Sequence, residues 1–209
     1  MPVITGLQLQ RTHKDRVNVY LDDEYAFSVH LDVAAGLKRG QMLDDEAIAA
    51  LRSEDAYRAA LGQALHWLGY RPRSSGELAA RMARAGVDPD LVARVLDRLR
   101  ALHLVDDAAF ADWWVAQRLE HRPSGARALA HELRQRGIEP DLIAEAVAGL
   151  DEPAMAVAIA LQHAPRYRIH GRPVFERRLA GVLQRRGFGS EAIRSAVDAA
   201  WAATAPPAD

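Results

Sequence analysis

Apolar and polar residues alternate along two short runs near the start of the chain, at 17–21 and 25–29. A period of two is typical of a strand with one buried face, and the acidic residues 22–24 between the runs indicate a β-hairpin turn. Residues 4–10 could add a third strand, because a lone hairpin is only marginally stable in water. We therefore expect a small antiparallel sheet with one packed face.

The apolar spacing becomes helical after Gly40. Asp44, Asp45 and Glu46 precede the first helical run, and acidic residues are favourable at the positive N-terminal end of a helix. Helical spacing then continues nearly without interruption to Trp201. The chain is therefore predicted to be mainly α-helical, with a short β segment in front.

A repeat of about 50 residues runs through the helical part. Its reference points are three glycines, Gly86, Gly137 and Gly187. A leucine stands eight residues before each glycine, and apolar residues stand four before it and one, six and ten after it. An Arg-Pro pair precedes every copy, as Arg71-Pro72, Arg122-Pro123 and Arg172-Pro173. So many matching positions indicate a repeated structural unit.

Each copy of the repeat predicts three helices. Apolar residues four apart line one helix face, and the glycine accepts the left-handed conformation that ends the helix. Ser74 and Glu77 have the spacing of a capping box, and Ser124 is expected to cap the corresponding helix of the second copy. A further helix leads each copy, at 56–68, 107–119 and 153–162.

These patterns divide the chain into a β segment, three helical repeats and a flexible tail. The predicted bounds are 1–52 for the β-hairpin with short helices, 53–106, 107–151 and 152–203 for the three-helix repeats, and 204–209 for the tail. Stacked units of this kind form an elongated, curved array with an extended binding surface. Such an architecture favours a protein that binds a large partner over an enzyme.

Composition and motifs exclude several classes of function. The chain has no cysteine, which fits a reducing cytoplasm. Its net charge of −1 does not suggest a strongly basic nucleic-acid binder. It has no apolar run long enough for a membrane span and no export signal. It also lacks a glycine-rich phosphate-binding loop, a GxSxG nucleophile motif and an HExxH zinc motif. We expect a cytoplasmic protein that is not an enzyme, needs no metal or cofactor and does not bind membranes.

Arginines are concentrated near the ends of the predicted middle helices and in the loops before them. They could stabilise helix C-termini and solvate an outer face, or form a periodic basic ridge that contacts phosphates or an acidic partner. Arg71 and Arg73 flank Pro72 before a helix start, where backbone donors and guanidinium groups could converge on an anion. The candidate binding residues are Arg71, Arg73, Arg81, Arg84, Arg118, Arg122, Arg134, Arg136, Arg177, Arg178, Arg185 and Arg186.

Two adjacent tryptophans stand in the helix that leads the second repeat. Trp114 shares a stripe with Phe110 and Arg118, which is more typical of a core than of a base-stacking platform. Trp113 points about 100° away and is the candidate for an exposed contact.

Three stretches of the chain carry a family resemblance. They are Gly69-Tyr70-Arg71-Pro72-Arg73-Ser74 with Glu77-Leu78, the segment 95–118 with its Leu104-Val105-Asp106-Asp107 step, and the segment 132–138. Their residues and spacing resemble the RecX family of recombinase regulators. The strand segment at 17–21 is similar to the N-terminal extension of some members. His103 departs from the family pattern, which commonly has glycine at this expected left-handed turn.

The resemblance implies three tandem three-helix units in a curved monomer. It further implies binding to the RecA recombinase filament on single-stranded DNA, with inhibition of ATP turnover, filament extension and strand exchange. The protein would thereby act in DNA repair, recombination and the SOS response, and weak direct DNA binding is also implied. Two alternatives stay open on the residues alone, an autonomous DNA-binding helical-repeat protein and a general protein-interaction scaffold.

Overall fold

The computed structural model describes residues 1–204, so the predicted tail lies outside the described residues except for Thr204. Three strands come first: β1 Ile4–Leu9, β2 Arg16–Leu21 and β3 Glu24–His30. The helices follow as α1 Leu31–Ala34, α2 Asp45–Leu68, α3 Ser75–Arg84, α4 Pro89–Ala101, α5 Asp107–His121, α6 Ala126–Arg134, α7 Pro140–Ala148, α8 Glu152–Arg168, α9 Arg172–Arg185 and α10 Ser190–Ala203. The predicted class, mainly α with a small antiparallel sheet, is confirmed.

The chain divides into two compact units. Unit 1 contains Met1–Pro72 and Leu78–Leu104, and unit 2 contains Arg73–Glu77 and the described residues from Val105 onward. The first turn of α3 therefore belongs to unit 2.

The three strands of unit 1 form an antiparallel sheet in the order β1-β2-β3, which confirms both the hairpin and the third strand. Asp22 and Asp23 have φ of 49° and 66°. Two consecutive positive φ angles match the type I′ turn, whose twist suits a two-residue hairpin loop. Val17, Val19 and Val29 point to one face of the sheet and are buried there, so the period of two was interpreted correctly.

Helix α2 is longer than the predicted leading helix at 56–68. It begins directly after Asp44, whose Oδ1 accepts a hydrogen bond of 2.7 Å from Ala47 N. No glycine or proline interrupts the chain between Asp45 and residue 56, so the acidic start signal and the leading helix belong to one element. The predicted boundary at residue 52 falls inside α2, and the division at 52, 106 and 151 stays a prediction.

The repeat glycines end the middle helices α3, α6 and α9 as predicted. Their φ angles are 78° for Gly86, 72° for Gly137 and 79° for Gly187. In each copy the residue after the glycine donates to a carbonyl five positions back, over 3.1 Å for Val87 to Met82, 3.2 Å for Ile138 to Leu133 and 3.2 Å for Phe188 to Leu183. This is the Schellman pattern. His103 adopts the same left-handed conformation with φ of 54°, so the turn forms there without glycine.

Helix α8 is also longer than predicted, because it continues past residue 162 through Pro165 to Arg168. The proline lies near the C-terminal end, where only the backbone bond to the Leu161 carbonyl is lost. Close packing of α8 on α10 supports the extension. The buried residues of both helices include alanines four apart, namely Ala156, Ala160 and Ala164 on α8 and Ala192, Ala196 and Ala200 on α10.

The two predicted serine caps have different outcomes. Ser74 Oγ accepts a hydrogen bond of 3.1 Å from Glu77 N, which confirms the first. The prediction for Ser124 is wrong, because its hydroxyl donates to the Arg122 carbonyl over 3.0 Å. The N-cap position of α6 is Gly125, which offers no side chain. The amide of Ala126, the first residue of α6, donates instead to the Glu152 carboxylate at the start of α8.

Candidate partner-binding surface

Two of the candidate arginines surround Trp114 in unit 2. The Arg136 guanidinium lies 3.4 Å from the centre of the indole ring, and that of Arg118 lies 4.7 Å from it. Glu132 connects Trp114 with Arg118, because its Oε2 accepts hydrogen bonds from Trp114 Nε1 over 2.9 Å and from Arg118 Nε over 2.7 Å. Arg136 also donates from Nη1 to the Glu132 carbonyl over 2.7 Å.

These contacts give Arg118 and Arg136 internal partners. Their side chains are 33% and 20% exposed, so little of either guanidinium is open to an external ligand. Trp114 packs against Phe110 with ring centres 6.2 Å apart, as the predicted core stripe requires. Trp113 is half-buried and also lies against Phe110, at 5.7 Å, so it is less open than the sequence suggested.

Three further candidates make contacts inside their own unit. In unit 1, Arg81 lies 4.8 Å over the ring of Trp67, and Arg71 Nη1 donates to the neighbouring Pro72 carbonyl over 2.8 Å. In unit 2, Arg186 Nη1 donates to the Pro123 carbonyl over 3.3 Å. These residues are half-buried, and their contacts support the local fold.

The anion site predicted at the start of α3 lacks two of its expected donors. Ser75 N donates to Asp107 Oδ1 over 2.8 Å, and Glu77 N donates to Ser74 Oγ. Both amides are therefore satisfied by the protein itself. Any anion held by Arg73, which is half-exposed, would have to bind without these two donors.

The remaining candidates are exposed. They are Arg84, Arg122, Arg134, Arg177, Arg178 and Arg185. Helix α9 shows the pattern best, since Phe175, Leu179 and Leu183 are fully buried on one side. The candidates Arg177, Arg178 and Arg185 are exposed on the other. Arg178 and Arg185 are seven residues apart and therefore lie two turns apart on one stripe.

Helix α6 carries a similar basic face, of which only Arg134 was predicted from the sequence. Arg127, His131 and Arg134 are all exposed, and their spacing of four and three residues places them in one row. Its single acidic residue, Glu132, is held by Trp114 and Arg118. The signal for Arg127 and His131 was the i, i+4, i+7 spacing on the polar side of the helix.

The acidic residue of α9 is likewise engaged and does not neutralise the basic face. Glu176 Oε1 accepts a hydrogen bond of 2.6 Å from Arg172 Nε. This hydrogen bond and the negative charge of Glu176 raise the pKa of the Arg172 guanidinium further above its ordinary value. The carboxylate of α9 is thus paired with Arg172 and not with Arg177, Arg178 or Arg185. We call the exposed rows of α6 and α9 the basic faces.

A membrane span and a metal-binding cluster are both missing from the part of the chain that is described. Within residues 1–204 no helix is both long and apolar enough to cross a membrane. The same residues contain no group of three histidine, aspartate or glutamate side chains placed to hold a metal ion.

Family models match three successive parts of the chain. The RecX N-terminal domain matches residues 2–44, the first RecX three-helix domain residues 60–99, and the second RecX three-helix domain residues 106–147. The strands, the helices α2 to α4 and the helices α5 to α7 thus each resemble a RecX module.

Whole-chain comparisons agree with the domain matches. The regulatory protein RecX of Bacillus subtilis (strain 168) is 32% identical over 203 residues, covering 95% of this chain and 77% of the relative. That of Bacillus pumilus (strain SAFR-032) is 31% identical over 206 residues, covering 96% and 78%.

Solved structures are similar as well. A crystal structure of regulatory protein RecX superimposes with a TM-score of 0.76 at 28% identity, over 95% of this chain and 100% of the other. RecX from Lactobacillus salivarius has a TM-score of 0.65 at 19% identity, over 70% and 97%, which supports the fold alone. The family models and the two Bacillus relatives, which match nearly the whole chain, establish that the chain belongs to the RecX family of regulatory proteins.

Proposed function

We propose that this protein binds the RecA recombinase filament on single-stranded DNA in the cytoplasm and inhibits its ATP turnover, extension and strand exchange. It would act as a monomer, by binding and not by catalysis. A body that contacts more than one recombinase subunit restrains the motions between subunits on which turnover depends. The role in DNA repair, recombination and the SOS response follows from this target.

The observation that carries the proposal, together with family membership, is the pair of basic faces. The single acidic residue of each helix is already hydrogen-bonded to other side chains, and exposed guanidinium groups beside it are suited to an acidic protein surface or to phosphates. Arg134 on α6 and Arg177, Arg178 and Arg185 on α9 are the contact residues that we propose. Arg84, Arg122 and Arg73 are the other exposed or half-exposed candidates, whereas internal contacts make Arg118 and Arg136 supports of the fold.

The function is tested by the single-strand-dependent ATP turnover of the recombinase. The protein is titrated from well below the recombinase concentration to equality, with DNA in excess. Loss of turnover at a substoichiometric ratio is the expected result, because one bound molecule restrains a filament of many subunits. Unchanged turnover at equality would refute regulation of the recombinase.

The same titration distinguishes binding to the filament from the alternative that the protein acts by binding single-stranded DNA. One observation favours this alternative. Residues 163–186 contain seven arginines and a single acidic residue, Glu176. If the protein acts by occupying single strands, excess DNA abolishes inhibition and DNA affinity falls steeply with salt. If it acts on the filament, inhibition persists in excess DNA.

Charge reversal tests the proposed contact residues. The variant R134E/R177E/R178E/R185E should bind the filament about tenfold more weakly or worse, while its melting temperature changes little, because all four side chains are exposed. A matched control, K14E/R39E/R98E/R194E, reverses four exposed charges outside the basic faces. Unaltered affinity of the first variant would refute the basic faces as the contact surface, and an equal loss of affinity in the control would show that only net charge matters.

A further inference from the structure

Two adjacent pairs of acidic residues, Asp106-Asp107 and Asp151-Glu152, begin the leading helices α5 and α8. The first member of each pair caps its own helix. Asp106 Oδ1 accepts from Ala109 N over 3.0 Å, and Asp151 Oδ1 accepts from Ala154 N over 3.0 Å. These are ordinary N-caps.

The second member of each pair reaches a different helix. Asp107 accepts from the backbone amide of Ser75 over 2.8 Å and also from the Ser75 hydroxyl. Glu152 Oε1 accepts from Ala126 N over 2.6 Å. Ser75 and Ala126 are the first residues of the middle helices α3 and α6. A carboxylate from one repeat thus caps the middle helix of the repeat before it.

Main-chain contacts accompany both of these caps. Ser74 Oγ donates to the Arg136 carbonyl over 2.6 Å, and Gly125 N donates to the Arg186 carbonyl over 2.8 Å. Gly125 leaves no space for a side chain, because a Cβ there would lie 2.5 Å from the Gly187 carbonyl oxygen. The start of α6 is therefore pressed against the C-terminal turn of α9.

The same arrangement occurs twice with equivalent residues, both times within unit 2. We call these two sites the joints. The first contains Ser74, Ser75 and Asp107 with the turn after α6, and the second contains Gly125, Ala126 and Glu152 with the turn after α9. The second joint links the two helices that carry the basic faces.

We propose that Glu152 is a positioning residue that fixes the spacing between the two basic faces, and that Asp107 holds the first turn of α3 against the turn after α6 in the same way. The effect of this spacing on binding rests on the proposed function, because the spacing matters only for a partner that contacts both faces at once. The spacing itself does not depend on any partner. A fixed spacing lowers the entropy lost on binding, because the second contact follows the first without a search.

Distance measurements test the joint without any partner. The chain has no cysteine, so spin labels can be placed at A144C on α7 and Q184C on α9, both exposed positions. The variant E152A should broaden the distribution of distances between the labels, because Ala126 N loses its acceptor. The matched control D151A removes a cap of similar strength from the adjacent residue and should leave the distribution narrow. E152Q keeps an acceptor oxygen and should also remain narrow.

A second measurement connects the spacing to binding. E152A should weaken inhibition of recombinase ATP turnover by about fivefold relative to D151A, although both lower the melting temperature to a similar extent. If E152A fails to fold, E152S replaces it, since serine is favourable at a helix start but too short to bridge the joint.

A distribution of distances that stays as narrow in E152A or E152S as in D151A would overturn the joint. If the wild-type protein inhibits the recombinase, equal inhibition by the two variants would show that the spacing does not contribute to binding. If the wild-type protein does not affect the recombinase, the proposed function fails, while the distance measurement still decides whether the joint fixes the spacing.

Discussion

Arg134 and Arg136 stand two residues apart at the end of α6, and we predict that their replacement by alanine has very different effects. Arg136→Ala removes a guanidinium that lies 3.4 Å from the centre of the Trp114 ring and donates to the Glu132 carbonyl over 2.7 Å. Arg134→Ala removes an exposed side chain. The sequence treats the two as equivalent members of one arginine cluster.

The magnitude for Arg136 follows from its contacts and burial. A cation over an indole ring contributes about 0.5 to 2 kcal/mol, with the higher value where water is largely excluded. A hydrogen bond from a charged donor adds about 1.5 to 3 kcal/mol. Since the side chain is 20% exposed, we take a combined loss of about 3 kcal/mol in the free energy of unfolding. Arg134→Ala should change it by less than about 0.5 kcal/mol.

Urea unfolding followed by tryptophan fluorescence measures this difference. Trp113, Trp114 and Trp201 lie in unit 2 and only Trp67 in unit 1, so the signal reports mainly on the unit that contains Arg136. With slopes of about 1 to 3 kcal/mol per molar urea, the midpoint should fall by about 1 M or more for Arg136→Ala and hardly at all for Arg134→Ala. Equal midpoints would refute the structural role of Arg136.

Two further predictions concern packing and backbone strain. Ala160→Leu places a larger side chain among the buried alanines of α8 and α10 and should lower the free energy of unfolding in urea by about 1 to 3 kcal/mol. The control Ala158→Leu changes an exposed position of the same helix and should be nearly neutral. Similar urea midpoints for the two variants would contradict the tight packing. His103→Gly should raise the melting temperature by about 2 to 4 °C, because glycine relieves the left-handed strain of this exposed residue, worth about 1 kcal/mol. A calorimetric scan checks it, and a lower melting temperature would mean that the histidine side chain stabilises the turn.

The repeat was predictable from sequence because its signals are local. Each middle helix buries a leucine eight residues before its glycine, and the left-handed glycine requires only the residues beside it. The hairpin was equally accessible, since the period of two and the acidic turn lie within the single short stretch 17–29. Where the sequence failed on helix length, as for α8, the tertiary contact with α10 outweighed the weak helix propensity of Pro165.

The roles of the arginines were not predictable, because the partners lie far along the chain or on another helix. Nothing near Arg136 in the sequence reveals that its guanidinium lies over Trp114, which belongs to the preceding helix α5. Likewise Ser124 had the right position to cap α6, but Glu152, at the start of α8, provides the acceptor. Local patterns identify which residues could act, and the tertiary structure determines which of them are already engaged.

The direction of the joints has a consequence for synthesis on the ribosome. In the first two repeats, the first residue of the middle helix donates its amide to a carboxylate of the repeat that follows, whereas the N-cap residue of α9 is Gly171, which has no side chain. A nascent chain that has emerged only as far as α7 therefore leaves Ala126 N and Gly125 N without their acceptors. Each of the first two repeats therefore becomes fully stable only after the following repeat has been translated. Removal of the last repeat from the C-terminus should destabilise the repeat before it as well, because the middle helix of that repeat then lacks hydrogen-bond acceptors.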